Sequence, residues 1–159
     1  MTRELITSWT DYQSALDRLL ALPGERIDVY DEDLEHLGLE TPARLAALKQ
    51  ILAAGGTQPR IRIAVRNADA LQNRHPQLMN LLGTYGQLFI AQETPQHLAH
   101  LRDALVIIDN RHALIRFDKE QPRSKLLIDE SEEISPYRQR FDGIIAENGK
   151  LITRTTLGL

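Results

Sequence analysis

Residues Arg102 to Asp118 read RDALVIIDNRHALIRFD, and the fold is decided there. Ala104 to Ile108 is an unbroken apolar run of strand length, the pattern of a strand buried on both faces. Asp109-Asn110-Arg111 is a tight-turn sequence, because Asp and Asn tolerate the backbone conformations that hairpin turns demand. His112 to Phe117 then mixes Arg116 with apolar neighbours, as a half-covered strand does. The stretch therefore predicts a hairpin at the centre of a sheet.

Working upstream, Gln87 to Ala91 is a further strand, and Leu71 to Leu82 is helical but interrupted at His75-Pro76, which predicts two short helices or a kink. Arg60 to Arg66 alternates, with Ile61, Ile63 and Val65 on one face and Arg60, Arg62 and Arg66 on the other. Thr41-Pro42 opens a helix whose stripe is Leu45, Leu48, Ile51 and Leu52, closed by Gly55-Gly56. Arg26 to Tyr30 is a strand followed by the acidic Asp31-Glu32-Asp33. Asp11 to Leu22 carries Tyr12, Ala15, Leu16, Leu19 and Leu20 on one helical stripe and stops at Pro23-Gly24. Downstream come a strand at Ser124 to Ile128, a polar DESEE loop, a helix from Ser135 to Glu147 with Tyr137, Phe141, Ile144 and Ile145 on one face, and a tail that frays after Lys150. The order αβαβαβ, then ββ, β and α, predicts an α/β fold whose early strands are parallel and whose hairpin is antiparallel.

A chain of 159 residues, 42% hydrophobic, suits one domain over residues 1–159 with its core at about 11–147. The net charge of −3 gives no global attraction to nucleic acid or to anionic membranes. With no cysteine, disulfides, thiol catalysis and thiolate metal sites are excluded. Nothing like a secretory signal precedes Trp9, and no apolar run approaches the roughly 20 residues of a membrane span, so a cytoplasmic location is expected.

The late apolar strand ending in Asp109, its immediate hairpin, and a closing helix with an aromatic-then-aliphatic stripe together resemble a half-repeat of the phospholipase D superfamily, over Asp11 to Glu147. The resemblance implies a mixed sheet with helices packed on both faces. It also implies a strand bearing H-x-K-x4-D, in which His is the phosphoryl-accepting nucleophile, Lys holds phosphate charge and Asp orients the site. The logic is geometric: residues two apart on a strand reach the same face. With Asp109 as the acid, the His position is Arg102 and the Lys position is Ala104, so the chain reads as catalytically inactive. An alternative phosphodiesterase or nuclease site would use His100, Arg102 and Asp109, but it sets the H-x-R pair two residues, roughly 6.6–6.8 Å, out of place. Half-repeats of this superfamily pair across a shared site, which implies a homodimer.

SWTDYQ at Ser8 to Gln13, RNADALQNRHPQL at Arg66 to Leu78, HLAHLRD at His97 to Asp103 and QPRSKLLID at Gln121 to Asp129 also resemble a family of degenerate phospholipase D-like domains of proteobacteria. Some of these are fused behind GNAT acetyltransferases, which makes an acetyltransferase domain or protein a candidate partner. No acetyl-CoA pyrophosphate loop is present in the chain itself. LLGTYG at Leu81 to Gly86 starts with the wrong residue and precedes a strand rather than opening a helix.

Remaining constellations point to binding. The histidines at 36, 75, 97, 100 and 112 lack metal-ligand spacing, HExxH and GxSxG are absent, and neither a metal nor a cofactor is expected. Asp31 to Asp33 is a place for a two-metal site, with a solvated turn as the ordinary reading. Arginines exceed this background. Arg66 and Asn67 fall at the carboxyl end of a strand, where open α/β sheets place ligands, and Arg123, Ser124 and Lys125 begin the strand after the hairpin, within reach of Arg116. If they converge, these six form a pocket for a small anion; the alternative is pairing with Asp28, Asp31, Asp109 and Asp129. The leading expectation is an inactive module for ligand binding or protein interaction. Nucleic-acid binding through the arginine face is the remaining alternative, weakened by the acidic balance and the scarcity of aromatic residues.

Overall fold

The hairpin lies inside an eight-stranded sheet in the computed structural model, which describes residues 1–154. Along the chain come β1 (Thr2–Ile6), α1 (Trp9–Leu20), β2 (Ile27–Asp31), α2 (Pro42–Ala53), β3 (Ile61–Val65), α3 (Ala68–Arg74), α4 (Pro76–Thr84) and β4 (Phe89–Glu93). There follow β5 (Ala104–Ile108), β6 (His112–Arg116), β7 (Ser124–Ile128), α5 (Ser131–Ala146) and β8 (Lys150–Ile152). The sheet order is β1-β7-β6-β5-β2-β3-β4-β8. Strands β2, β3 and β4 are parallel, and every other neighbouring pair is antiparallel.

Helices cover both faces, as the sequence order requires. On one face α1, α2, α3 and α4 bury Leu16, Leu19, Leu48, Leu52, Leu71 and Leu78 against Val29, Ile63, Val106 and Leu114. On the other, α5 alone brings Ile134, Phe141 and Ile144 onto Leu105, Ile107, Ile115 and Leu127. Alternate residues of β5 thus feed different cores, which is why its sequence is apolar throughout. The turn is tight because Asp109 and Asn110 take φ of 55° and 54°, values these side chains tolerate better than most.

Several boundaries differ from the sequence reading, each for a local reason. Helix α1 starts at Trp9, because Ser8 caps it by accepting from the Asp11 N–H at 3.1 Å. The DESEE segment is not a loop: Ser131, Glu132 and Glu133 form the first turn of α5, where acidic side chains suit the helix dipole. Pro136 lies inside that helix. Strand β4 runs to Glu93, further than Ala91, and Lys150–Ile152 pairs with it instead of fraying. Residues 155–159, the rest of the expected tail and domain, lie outside the described residues. Strand β1 was not foreseen, since TRELI carries little apolar signal at an edge. Most telling is β6: expected to be half-covered, it is buried at every position, Arg116 included.

Candidate functional site at the carboxyl end of the central strands

The ends of β2, β3 and β6 and the starts of β5 and β7 share one end of the sheet, since Arg116 pairs in register with both Ala104 and Ser124. On the α1 face, the small side chain of Ala104 lets the Arg116 guanidinium pass over β5 and reach Asp31 on β2 at 2.9 Å. Both side chains are 1% exposed. Burial pushes the Asp31 carboxyl above its usual range, and Arg116 beside it pulls the other way. The guanidinium also lies 5.6 Å from the Trp9 ring centre and 5.1 Å from that of Tyr12, within cation–π range. Trp9 in turn stacks on His36 at 4.0 Å. The Nε and Nη1 atoms of Arg116 have no hydrogen-bond partner among the described residues. Asp31 is therefore a buried ion-pair member and not part of a solvated turn.

On the opposite face of the same end lies a narrow crevice, too tight for a water-sized sphere, between Tyr30, Glu32, Arg66, Leu101, Asp103 and Lys119. Tyr30 is 2% exposed, yet its hydroxyl makes no hydrogen bond among the described residues. Burial raises its pKa, against the pull of Arg140 and Arg66. Arg66 donates through Nη1 to the Thr94 hydroxyl at 3.0 Å and to the Pro95 carbonyl at 2.7 Å. Its other nitrogens have no partner, and no carboxylate pairs with it, among the described residues. Lys119 pairs with Glu32 at 2.5 Å, and Arg140 is taken up by Asp103.

The six residues expected to share an anion pocket are not brought together. Arg116 and Ser124 are buried on the α1 face, where the Ser124 hydroxyl donates to the Pro122 carbonyl at 2.8 Å. Lys125 is on the α5 face, above the Tyr137 ring and 3.9 Å from Glu133. Arg123 is exposed. Asn67 caps α3, accepting from the Ala70 N–H at 3.2 Å. Four strand positions separate β3 from β7, about 19 Å at the usual spacing, so Arg66 and Lys125 cannot grip one small anion.

Nor do His100, Arg102 and Asp109 meet. His100 is exposed, with Nδ1 3.1 Å from the His97 carbonyl. Arg102 forks onto Asp118 at 2.9 and 3.2 Å and lies 3.4 Å from Glu120. Asp109 is at the far end of β5, about 17 Å from Ala104 along an extended strand. Its carboxylate accepts the backbone N–H groups of Glu25 and Arg26, tying the hairpin turn to the approach to β2. The arginines of β3 are likewise engaged: Arg60 with the Glu25 carbonyl at 3.2 Å, and Arg62 with Asp28 at 2.8 Å and Asp142 at 3.2 Å.

A family model described as a domain of unknown function (DUF7931) matches residues 8–146. The chain belongs to this family. No curated protein sequence matches the chain. Among solved structures it is similar to NucT from Helicobacter pylori, with a TM-score of 0.61, 13% identity, and 94% of this chain and 98% of that one covered. It is also similar to Nuc from Salmonella typhimurium, a phospholipase D family member, with a TM-score of 0.58 and 12% identity over 96% and 99% of the two chains. TrmBL2, an archaeal chromatin protein, matches with a TM-score of 0.66 and 11% identity over 96% of this chain. The chain spans only 55% of that protein's length. The fold is thus phospholipase D-like. No helix among the described residues is long and apolar enough to cross a membrane.

Sequence reasoning singled out Arg66 but missed its neighbours. Tyr30 and Glu32 stand at the end of β2, so the strand-end rule that marked Arg66 would have marked them too. Lys119, in the turn after β6, carries no such signal.

Proposed function

We propose that the chain is a phospholipase D-like domain that binds its ligand without hydrolysing it. One observation carries this reading. At the positions where the resembled superfamily places its nucleophile and phosphate-holding lysine stand Arg102, held by Asp118, and Ala104, covered by the buried Arg116–Asp31 pair. No side chain there is an accessible nucleophile, and covalent phosphoryl chemistry needs one. Binding remains, and the crevice around Arg66 is where it is assigned.

Purified protein is expected to leave bis(p-nitrophenyl) phosphate and single-stranded DNA uncleaved above background. Turnover that disappears in His100→Ala would overturn the reading in favour of a rearranged hydrolase. A DNA-binding role draws on the likeness to the archaeal chromatin protein, whose structure is described as showing a novel mode of DNA binding. Against it stand the net charge of −3 and the carboxylate and carbonyl partners of Arg60 and Arg62. Salt-dependent binding of duplex DNA would favour it.

A further inference from the structure

We infer that the crevice formed by Tyr30, Arg66 and Lys119 is a binding site for a small oxyanion, a carboxylate or a phosphate group, and that Glu32 holds the site as an internal substitute for that ligand. The inference rests on the binding reading above and gives it a ligand class and a control.

Three features meet at this point. Arg66 is a half-buried cation whose contacts are a hydroxyl and a carbonyl, with no carboxylate in ion-pair contact among the described residues, although Glu32 and Asp103, each held by another cation, line the same crevice. Arg62, Arg102 and Arg116 each meet a carboxylate, whereas Arg60, like Arg66, holds carbonyl oxygens; Arg66 differs from Arg60 in facing the crevice. A guanidinium removed from water has a strong demand for a charged acceptor, because hydrogen bonds to an ionised acceptor are about twice as strong as neutral ones. Tyr30, buried along its ring, adds a hydroxyl at the crevice that makes no hydrogen bond among the described residues and is not sealed from solvent, so it is free to donate to a ligand. Lys119 supplies the third donor, and the carboxylate of Glu32 already occupies it at 2.5 Å.

The Lys119–Glu32 pair forms part of the lining of a crevice that admits no water-sized sphere. Their side chains are 22% and 35% exposed, so the pair is partly wet and can part at small cost. An entering oxyanion would replace Glu32 on Lys119 and give Arg66 and Tyr30 the acceptor they lack. Glu32 and the ligand compete for one cation, so removing the Glu32 charge strengthens binding, whereas a merely structural bridge would gain nothing from its loss.

The test is calorimetric titration of the full chain with inorganic phosphate and, separately, acetate, at ionic strength held constant with chloride. Glu32→Gln is expected to bind at least one of them about tenfold more tightly than the wild type, as loss of a nearby like charge predicts. In the Glu32→Gln background, Arg66→Gln or Tyr30→Phe is expected to abolish that gain, and Arg66→Lys to retain part of it. Melting curves of each variant establish that it is folded. Which anion binds identifies the source chemistry. The inference is overturned if Glu32→Gln binds neither anion beyond chloride, or if binding survives both Arg66→Gln and Tyr30→Phe. Absence of binding leaves the non-hydrolytic reading standing, and only the cleavage assay can remove that.

Discussion

Arg116 and Arg66 stand at the same end of the sheet, on opposite faces, and their charges are met in opposite ways. Arg116 is sealed under Trp9 and Tyr12 and faces Asp31 across a strand. Arg66 is half-buried, holds only neutral acceptors and opens on a crevice. A buried cation with a buried counter-ion is committed to the fold, because either group alone would be left without compensation. A cation without a counter-ion is available. Similar residue types at similar strand positions therefore carry different duties, and burial with pairing tells them apart.

The largest test of this contrast is Arg116→Ala, which should cost about 3–5 kcal/mol, the usual loss when one partner of a buried ion pair is removed. Combining Asp31→Leu with Arg116→Met should recover much of it, since neither charge is then stranded. Urea midpoints of the single and double variants decide the matter; equal losses in both would mean that the pair is not the source. Asp109→Ala probes the other end of β5 and should cost about 1–2 kcal/mol, because two exposed backbone donors exchange their acceptor for water and Ala tolerates the φ of 55° less well than Asp. It should leave any response to phosphate unchanged, separating the hairpin tie from the binding end. Arg66→Ala should cost only about 1 kcal/mol, the scale of ordinary hydrogen bonds. A loss as large as that of Arg116→Ala would erase the distinction between the two arginines.

The smallest effect concerns a charge absent at neutral pH. His112 is buried and its Nδ1 accepts the Asp129 N–H at 3.1 Å, so the fold favours the neutral ring, and burial lowers its pKa. The unfolded chain takes up the proton first as pH falls through about 6.5. Stability from this group is thus complete above that pH and declines below it, towards the depressed folded value. His112→Asn should flatten that part of the profile of urea midpoint against pH between roughly pH 7 and 5. An unchanged profile would mean that other groups set it.

The sequence revealed the architecture because both signals that define it are local. The apolar run of β5 and the His75-Pro76 break need no knowledge of neighbours, and the structure places a central strand and a helix junction there. Edge strands were illegible, since β1 and β8 gain their order from β7 and β4 rather than from their own residues. The grouping of arginines failed for a related reason. Spacing along the chain told which residues share a strand face, but the order of strands in the sheet, β7-β6-β5-β2-β3, is a property of the assembled fold. It moved Lys125 away from Arg66 and brought Arg116 to Asp31.

Trp9 is the sole tryptophan of the chain, and it sits at the start of α1 between the His36 ring and the Arg116 guanidinium. Its emission therefore comes from one defined place with no second indole to blur it. Loss of the stack on His36 or withdrawal of the cation would change its colour and intensity. The fold thus carries an optical gauge of its own sealed end, readable in solution without any label.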